Sequence, residues 1–106
     1  MVLQWLAVAG YYHKRIPIGA YPYRHKDGTV GWGKNPLKGF PDILVVLKNR
    51  PGMLCVIELK STNGKLRTDQ YEELENLKAA GVLVIVARDL HTIVETLARE
   101  DVARAG

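Results

Sequence analysis

The feature that most constrains this chain is a pair of apolar runs, residues 39–47 (GFPDILVVL) and 53–60 (MLCVIELK), joined through Asn49-Arg50-Pro51-Gly52. Runs of this kind read as strands buried on both faces. The Asn-Arg-Pro-Gly turn signal joins them as an antiparallel hairpin. The first run opens on Asp42, and the second closes on Glu58 and Lys60. Side chains alternate along a strand, so Glu58 and Lys60 project from one face, and Ile57 and Leu59 from the other. Antiparallel pairing sets the start of the first strand beside the end of the second. Asp42 and Glu58, 16 positions apart, then become neighbours in space. Taken singly, Asp42 reads as a turn residue and Glu58 with Lys60 as a same-face ion pair. Taken together they read as a metal site with a catalytic amine, because acids ending two buried strands cost stability unless something binds them.

A length of 106 residues and 47% hydrophobic content imply one globular domain spanning 1–106 with a modest core. No apolar run approaches the ~20 residues that cross a bilayer. Met1 to Ala9 is apolar, but no charged region precedes it and Gln4 and Trp5 interrupt it, so no signal peptide is expected. The single cysteine, Cys55, cannot form an internal disulfide and suits a reducing interior as a buried thiol. The net charge of +4 is unevenly distributed. Residues 1–50 hold eight Lys/Arg against two acids, and residues 51–106 hold seven against nine. A basic half points to a polyanionic partner, most commonly nucleic acid.

Val2, Leu3, Leu6 and Val8 recur at helical spacing before Gly10, which predicts a short N-terminal helix. Ile16 to Tyr23 reads as a strand broken by Pro17 and Pro22. Residues 24–39 read as a loop turned at Asp27-Gly28. This loop interleaves Arg24, Lys26, Lys34 and Lys38 with Trp32. It is either a grip for phosphates and bases or an exposed connector whose Trp32 caps the core. Downstream, Thr68 is the expected N-cap of a helix with Asp69 in its first turn and Gly81 at its C′ position. Tyr71, Leu74 and Leu77 form its expected core stripe, and Gln70 leans toward the sheet. Residues 82–87 (VLVIVA) predict a third strand, parallel to its predecessor after the helical crossover. Asp89 then caps a final helix with Leu90, Ile93, Val94 and Leu97 inward.

A hard cation such as Mg²⁺ takes one or two protein carboxylates plus waters and substrate phosphate. Asp42 and Glu58 supply the carboxylates, and the backbone carbonyl of Leu59 supplies a third oxygen. Such a centre serves phosphodiester hydrolysis, with Lys60 contacting the attacking water or the phosphate and Gln70 orienting the lysine or the water. Other chemistries lack their parts. Ser61 has no His partner, no glycine-rich phosphate loop precedes a helix, and His13, His25 and His91 lack metal-ligand spacing. His91 reads as a surface residue.

Pro41-Asp42, Glu58-Leu59-Lys60 and Gln70-Tyr71 resemble the PD-(D/E)XK nuclease superfamily. Gly-Phe-Pro-Asp, Glu-x-Lys and Thr-Asp-Gln-Tyr, followed by Ala-Gly and a Val-rich strand, are similar over about residues 37–97 to the VRR-NUC (virus-type replication–repair nuclease) family. The resemblance implies an α/β restriction-endonuclease-like fold with a mixed central sheet flanked by helices. It also implies a Mg²⁺- or Mn²⁺-dependent endodeoxyribonuclease in the cytoplasm of a bacterium or encoded by a phage. The implied catalytic residues are Asp42, Glu58, Lys60 and Gln70, the implied metal ligands Asp42, Glu58 and Leu59, and the expected DNA contacts Arg24, Lys26, Trp32, Lys34 and Lys38. Short stand-alone members are associated with homodimers that resolve four-way (Holliday) junctions, whereas multidomain relatives act as flap or crosslink-repair nucleases. The family's first-helix glutamate has no counterpart, since nothing acidic precedes Asp27. That residue lies upstream, is replaced by water or Gln4, or is missing with weakened metal binding. The rivals are therefore a flap or nicking nuclease, a DNA-binding module with little cutting activity, and a purely partner-binding domain.

Overall fold

The computed structural model describes residues 1–17, 21–33 and 37–103. In chain order its elements are α1 (Val2–Val8), β1 (His13–Arg15), β2 (Tyr21–Arg24), β3 (Val30–Gly33), β4 (Ile43–Val46), β5 (Leu54–Leu59), α2 (Thr68–Ala79), β6 (Leu83–Ala87) and α3 (Leu90–Glu100). A four-stranded sheet runs β1-β4-β5-β6, and β2 with β3 forms a separate two-stranded sheet. β4 pairs antiparallel with β1 and β5, and β5 pairs parallel with β6 across α2. This is the mixed α/β sheet that the sequence implied.

Strand parity divides the sheet into two unequal faces. Ile43, Val45, Cys55, Ile57, Ile85 and Ala87 project to one side, where Leu6 of α1 and Ile93 and Leu97 of α3 close over them. Each fully buried aliphatic side chain contributes about 1.5–3 kcal/mol, so this face carries most of the apolar stabilisation. The other face bears Val56 and Glu58 and is covered by α2, whose Leu74 is buried. β5 is buried on both faces through its middle, as expected. β4 is not: its alternate residues are only half-buried.

Four further expectations need correction. The strand expected over 16–23 falls instead at His13–Arg15, where it pairs with β4, and at Tyr21–Arg24; residues 18–20 lie outside the described residues. The stretch expected to be loop contains β3, which pairs with β2 across the Asp27-Gly28 turn, because Val30 and Trp32 suit a pleated strand despite the flanking glycines. The N-cap of α2 is Arg67, not Thr68, since the Arg67 N–H is held by the Gln70 side chain at 3.0 Å. Tyr71 is 56% exposed, leaving buried Leu74 and half-buried Leu77 of the expected stripe to anchor that helix. Asp89 does cap α3, accepting from Thr92 N–H at 2.8 Å.

One constraint had no signal in the sequence. Asp101, buried just past α3, accepts hydrogen bonds from the Lys48 and Asn49 backbone N–H groups at 3.0 and 2.9 Å and from the Tyr11 hydroxyl at 2.9 Å. It thus ties the last helix to the β4–β5 turn and to the α1–β1 link. Burial alone would raise its pKa, but the backbone N–H bonds from Asn49 and Lys48 and the Tyr11 bond outweigh it, and the carboxyl lies below its ordinary 3.8. Burial and the Asp101 hydrogen bond push the Tyr11 phenol up to about 12. A carboxylate depressed in the folded state contributes stability above its unfolded pKa, and that stability is lost as pH falls through the folded value. Asp101→Asn is therefore expected to lower stability at pH 7 by about 2 kcal/mol or more, with the gap closing below about pH 4. Thermal melts of both proteins across pH test this; a gap that persists in acid would contradict it.

Gly39 explains the glycine of the Gly-Phe-Pro-Asp stretch. It has φ +87, and a Cβ there would sit 3.1 Å from the Asp69 carbonyl oxygen at the start of α2. The turn before β4 therefore packs directly on the helix that carries Gln70. Gly39→Ala is expected to lose about 1–3 kcal/mol from backbone strain alone. Gly28 has φ +91 with open space around it, so Gly28→Ala should cost less. Urea unfolding that ranks the two variants equal would remove the Asp69 contact from the account.

Candidate active site

Asp42, Glu58, Lys60 and Gln70 come together at one end of the sheet. In the β4–β5 register Ile43 faces Ile57, so one step outward Asp42 faces Glu58, with both side chains on the α2 side. The ladder ends there, and the Asp42 carboxylate takes its place by accepting the Leu59 N–H at 2.8 Å. A residue's N–H and C=O leave a strand at the same edge, so the Leu59 carbonyl also points toward Asp42. Two positions beyond Glu58, Lys60 Nζ lies 3.5 Å from Glu58 Oε1. The Lys60 side chain is 14% exposed and that of Glu58 only 4%.

Gln70 locks this pair. Its Oε1 accepts from Lys60 Nζ at 2.9 Å and from the Arg67 N–H at 3.0 Å, and its Nε2 donates to Glu58 Oε1 at 3.2 Å. Two donors on one side and a carboxylate on the other fix the amide's orientation. Arg88 donates to the Ser61 and Thr62 carbonyls and so holds the chain that follows Lys60. Burial is the main cause that raises the Glu58 pKa above its ordinary 4.5. The Asp42 charge raises it further, and Lys60 and Arg67 oppose the shift.

The donor set fits a hard divalent cation. Among the described residues no group of three or more His, Cys, Asp or Glu gathers to hold a metal, so an all-protein cage is not on offer. Two carboxylates and a backbone carbonyl do match an ion that keeps waters and substrate oxygens as its other ligands. One oxygen of each carboxylate is engaged, Asp42 Oδ2 by Leu59 and Glu58 Oε1 by Lys60 and Gln70. The second oxygen of each has no hydrogen-bond donor among the described residues.

The expected DNA contacts are more scattered. Arg24 and Trp32 share one face of the β2–β3 hairpin, since Arg24 pairs with Val30 and Pro22 with Trp32. Trp32 is 69% exposed and caps no core. Lys26 lies in the hairpin turn, and Lys38 in the turn beside Asp69. Lys34 lies outside the described residues. Arg24, Lys26 and Trp32 make no hydrogen bond or ion pair to Asp42 or Glu58 among the described residues. Gln4 is exposed and is not among the residues that line the cleft beside Asp42. His91 is a surface residue paired with Glu95 at 2.9 Å. Cys55 is buried, its thiol pushed up to about 12 by burial and then by the Asp101 charge. Sequence reasoning passed over Arg15, which lines the same cleft as Asp42; the misplaced first strand concealed it.

A mixed sheet delivering Asp42, Glu58 and Lys60 to one edge, with a helix-borne glutamine behind them, defines a nuclease of the PD-(D/E)XK class. The family model described as the VRR-NUC domain matches residues 33–89, more than half of the chain, and the chain belongs to the VRR-NUC family. No individual curated protein matches it. Membership makes this a nuclease domain, a hydrolase with DNA as its substrate. No described helix is long and apolar enough to cross a membrane.

The closeness of the two carboxylates can be tested without activity. In chelator-treated solution the Glu58 carboxyl is expected to titrate above 4.5, and Asp42→Asn should bring its midpoint down. Side-chain carboxyl ¹³C NMR reads both, and an unmoved midpoint in the variant would separate the two groups.

Proposed function

We propose that this chain is a metal-dependent, structure-specific DNA endonuclease that cuts four-way junctions as a homodimer. The observation that carries the nuclease chemistry is the Asp42–Glu58 pairing, with Lys60 and Gln70 bonded onto it. A Mg²⁺ or Mn²⁺ ion held by Asp42, Glu58 and the Leu59 carbonyl would supply Lewis-acid activation of a phosphodiester and its attacking water. Glu58 keeps one oxygen for that ion while its other oxygen anchors Lys60. The lysine, directed by Gln70, contacts the water or a non-bridging phosphate oxygen and offsets charge developing on phosphorus. Asp42 fixes the edge of the site by holding the Leu59 N–H. Lys38 and the hairpin residues Arg24, Lys26 and Trp32, with Lys34, grip the backbone and stack on exposed bases.

The junction and dimer assignments rest on family resemblance and on symmetry, since a two-fold dimer suits a two-fold branched substrate. A DNA-binding module with weakened cutting is the second reading. It is favoured by the lack of a third clustered acid among the described residues.

A panel of labelled flap, fork, nicked and four-way DNA, with and without Mn²⁺, tests these readings beside a measurement of solution mass. Four-way DNA is expected to be cut, with chelator abolishing the reaction. Asp42→Ala and Lys60→Ala should each lower cleavage by about 10²–10³-fold while junction binding survives. Undiminished cutting by either variant would refute its assigned role. Retained, salt-sensitive binding with no cleavage of any DNA would select the second reading.

A further inference from the structure

We propose that the cleft beside Asp42 is a subsite for one nucleotide of the bound strand, with Arg15 taking a backbone phosphate; this rests on the nuclease reading above. The cleft is about 470 Å³ and has an apolar wall of Val2, Leu3, Ile43 and Leu59, with Met1, which bears the terminal amine, Arg15 and Asp42 completing its lining. A second hollow of about 410 Å³ is lined by Arg15, Ile16, Pro17 and Asp42, so Arg15 and Asp42 border the same open space in both. The position of Arg15 is set by the sheet. Arg15 pairs with Ile43, so it leaves the edge strand on the face opposite the Asp42 side chain, and the next residue's N–H bonds to the Asp42 carbonyl at 2.7 Å.

The Arg15 side chain makes no hydrogen bond or ion pair among the described residues, although Asp42 lines the same cleft. Asp42 is instead engaged by the Leu59 N–H. A guanidinium left free beside an acidic centre is available to an incoming anion, and its planar fork matches a phosphate in two contacts. Two carboxylates repel a DNA strand, and a cation at their margin offsets that repulsion where the strand must pass. The apolar wall suits the deoxyribose and base edge attached to that phosphate. A cavity of this size lies in the lower part of the small-ligand range of about 300–1,000 Å³, fitting one nucleotide unit and not a duplex. Arg15 is thus a substrate-binding residue, distinct from the hairpin cations.

Arg15→Gln and Arg15→Lys are compared with wild type on the four-way junction with Mn²⁺. Because Arg15 is exposed, the melting temperature should hold. Arg15→Gln is expected to raise KM about tenfold with a smaller change in kcat, and Arg15→Lys to fall between, keeping the charge but losing the fork. Binding to uncut junction is read in a Lys60→Ala background. There, removing one phosphate contact should make the slope of log K against log salt shallower by about 0.9. An unchanged KM and salt slope in Arg15→Gln would overturn the subsite. If wild type cuts nothing, the nuclease reading fails separately, and the salt slope still decides whether Arg15 meets a phosphate. Should the glutamine variant lose its melting transition, the lysine variant carries the comparison, and wild-type KM and slope in it would overturn the bidentate contact.

Discussion

The pairing of β4 with β5 is the constraint on which the rest depends. Ile43 faces Ile57 and Val45 faces Cys55, and these side chains are buried on the face closed by α1 and α3. A slip of one residue in β4 would turn Ile43 and Val45 away from the core, put the half-buried Leu44 and Val46 in their place and carry Asp42 off Glu58. The fully buried set therefore decides which face of β4 meets the core, and in the observed register Asp42 stands opposite Glu58. The geometry of the polar cluster is tied to the pairing that builds the core.

The two faces of the sheet then carry different loads. One is a continuous aliphatic layer. The other, under α2, accommodates a nearly buried glutamate beside a second acid, which burial and like charge both disfavour. Lys60 and Gln70 offset that cost at Glu58 Oε1, and the Leu59 N–H does so at Asp42. The other oxygen of each acid accepts no hydrogen bond among the described residues. Both acids lie within residues 33–89, the stretch that the family model matches.

The hairpin, the parallel third strand, the capping aspartate of α3 and the four clustered polar residues were all legible in the sequence. Their signals are local: apolar runs, a turn tetrapeptide, a two-residue spacing. Gln70 was legible as leaning toward the sheet, but its second bond, to the Arg67 N–H, shifted the start of the helix by one residue. β3 was hidden because glycines flank Trp32, and β1 because a three-residue edge strand borrows its definition from β4. Displacing that strand also hid Arg15. Asp101 was illegible for a deeper reason. Its partners lie 90, 53 and 52 positions away, and no periodicity reports a bond of that range. Tyr71 misled because helical spacing alone cannot tell a core position from an exposed one.

The amide of Gln70 has two duties, satisfying the first turn of α2 and aiming a lysine. Fraying of that turn would withdraw Gln70 from Lys60 and Glu58 in the same stroke, leaving only their direct ion pair. The winding of one helical turn and the polar order at the end of the sheet are thereby coupled through a single side chain.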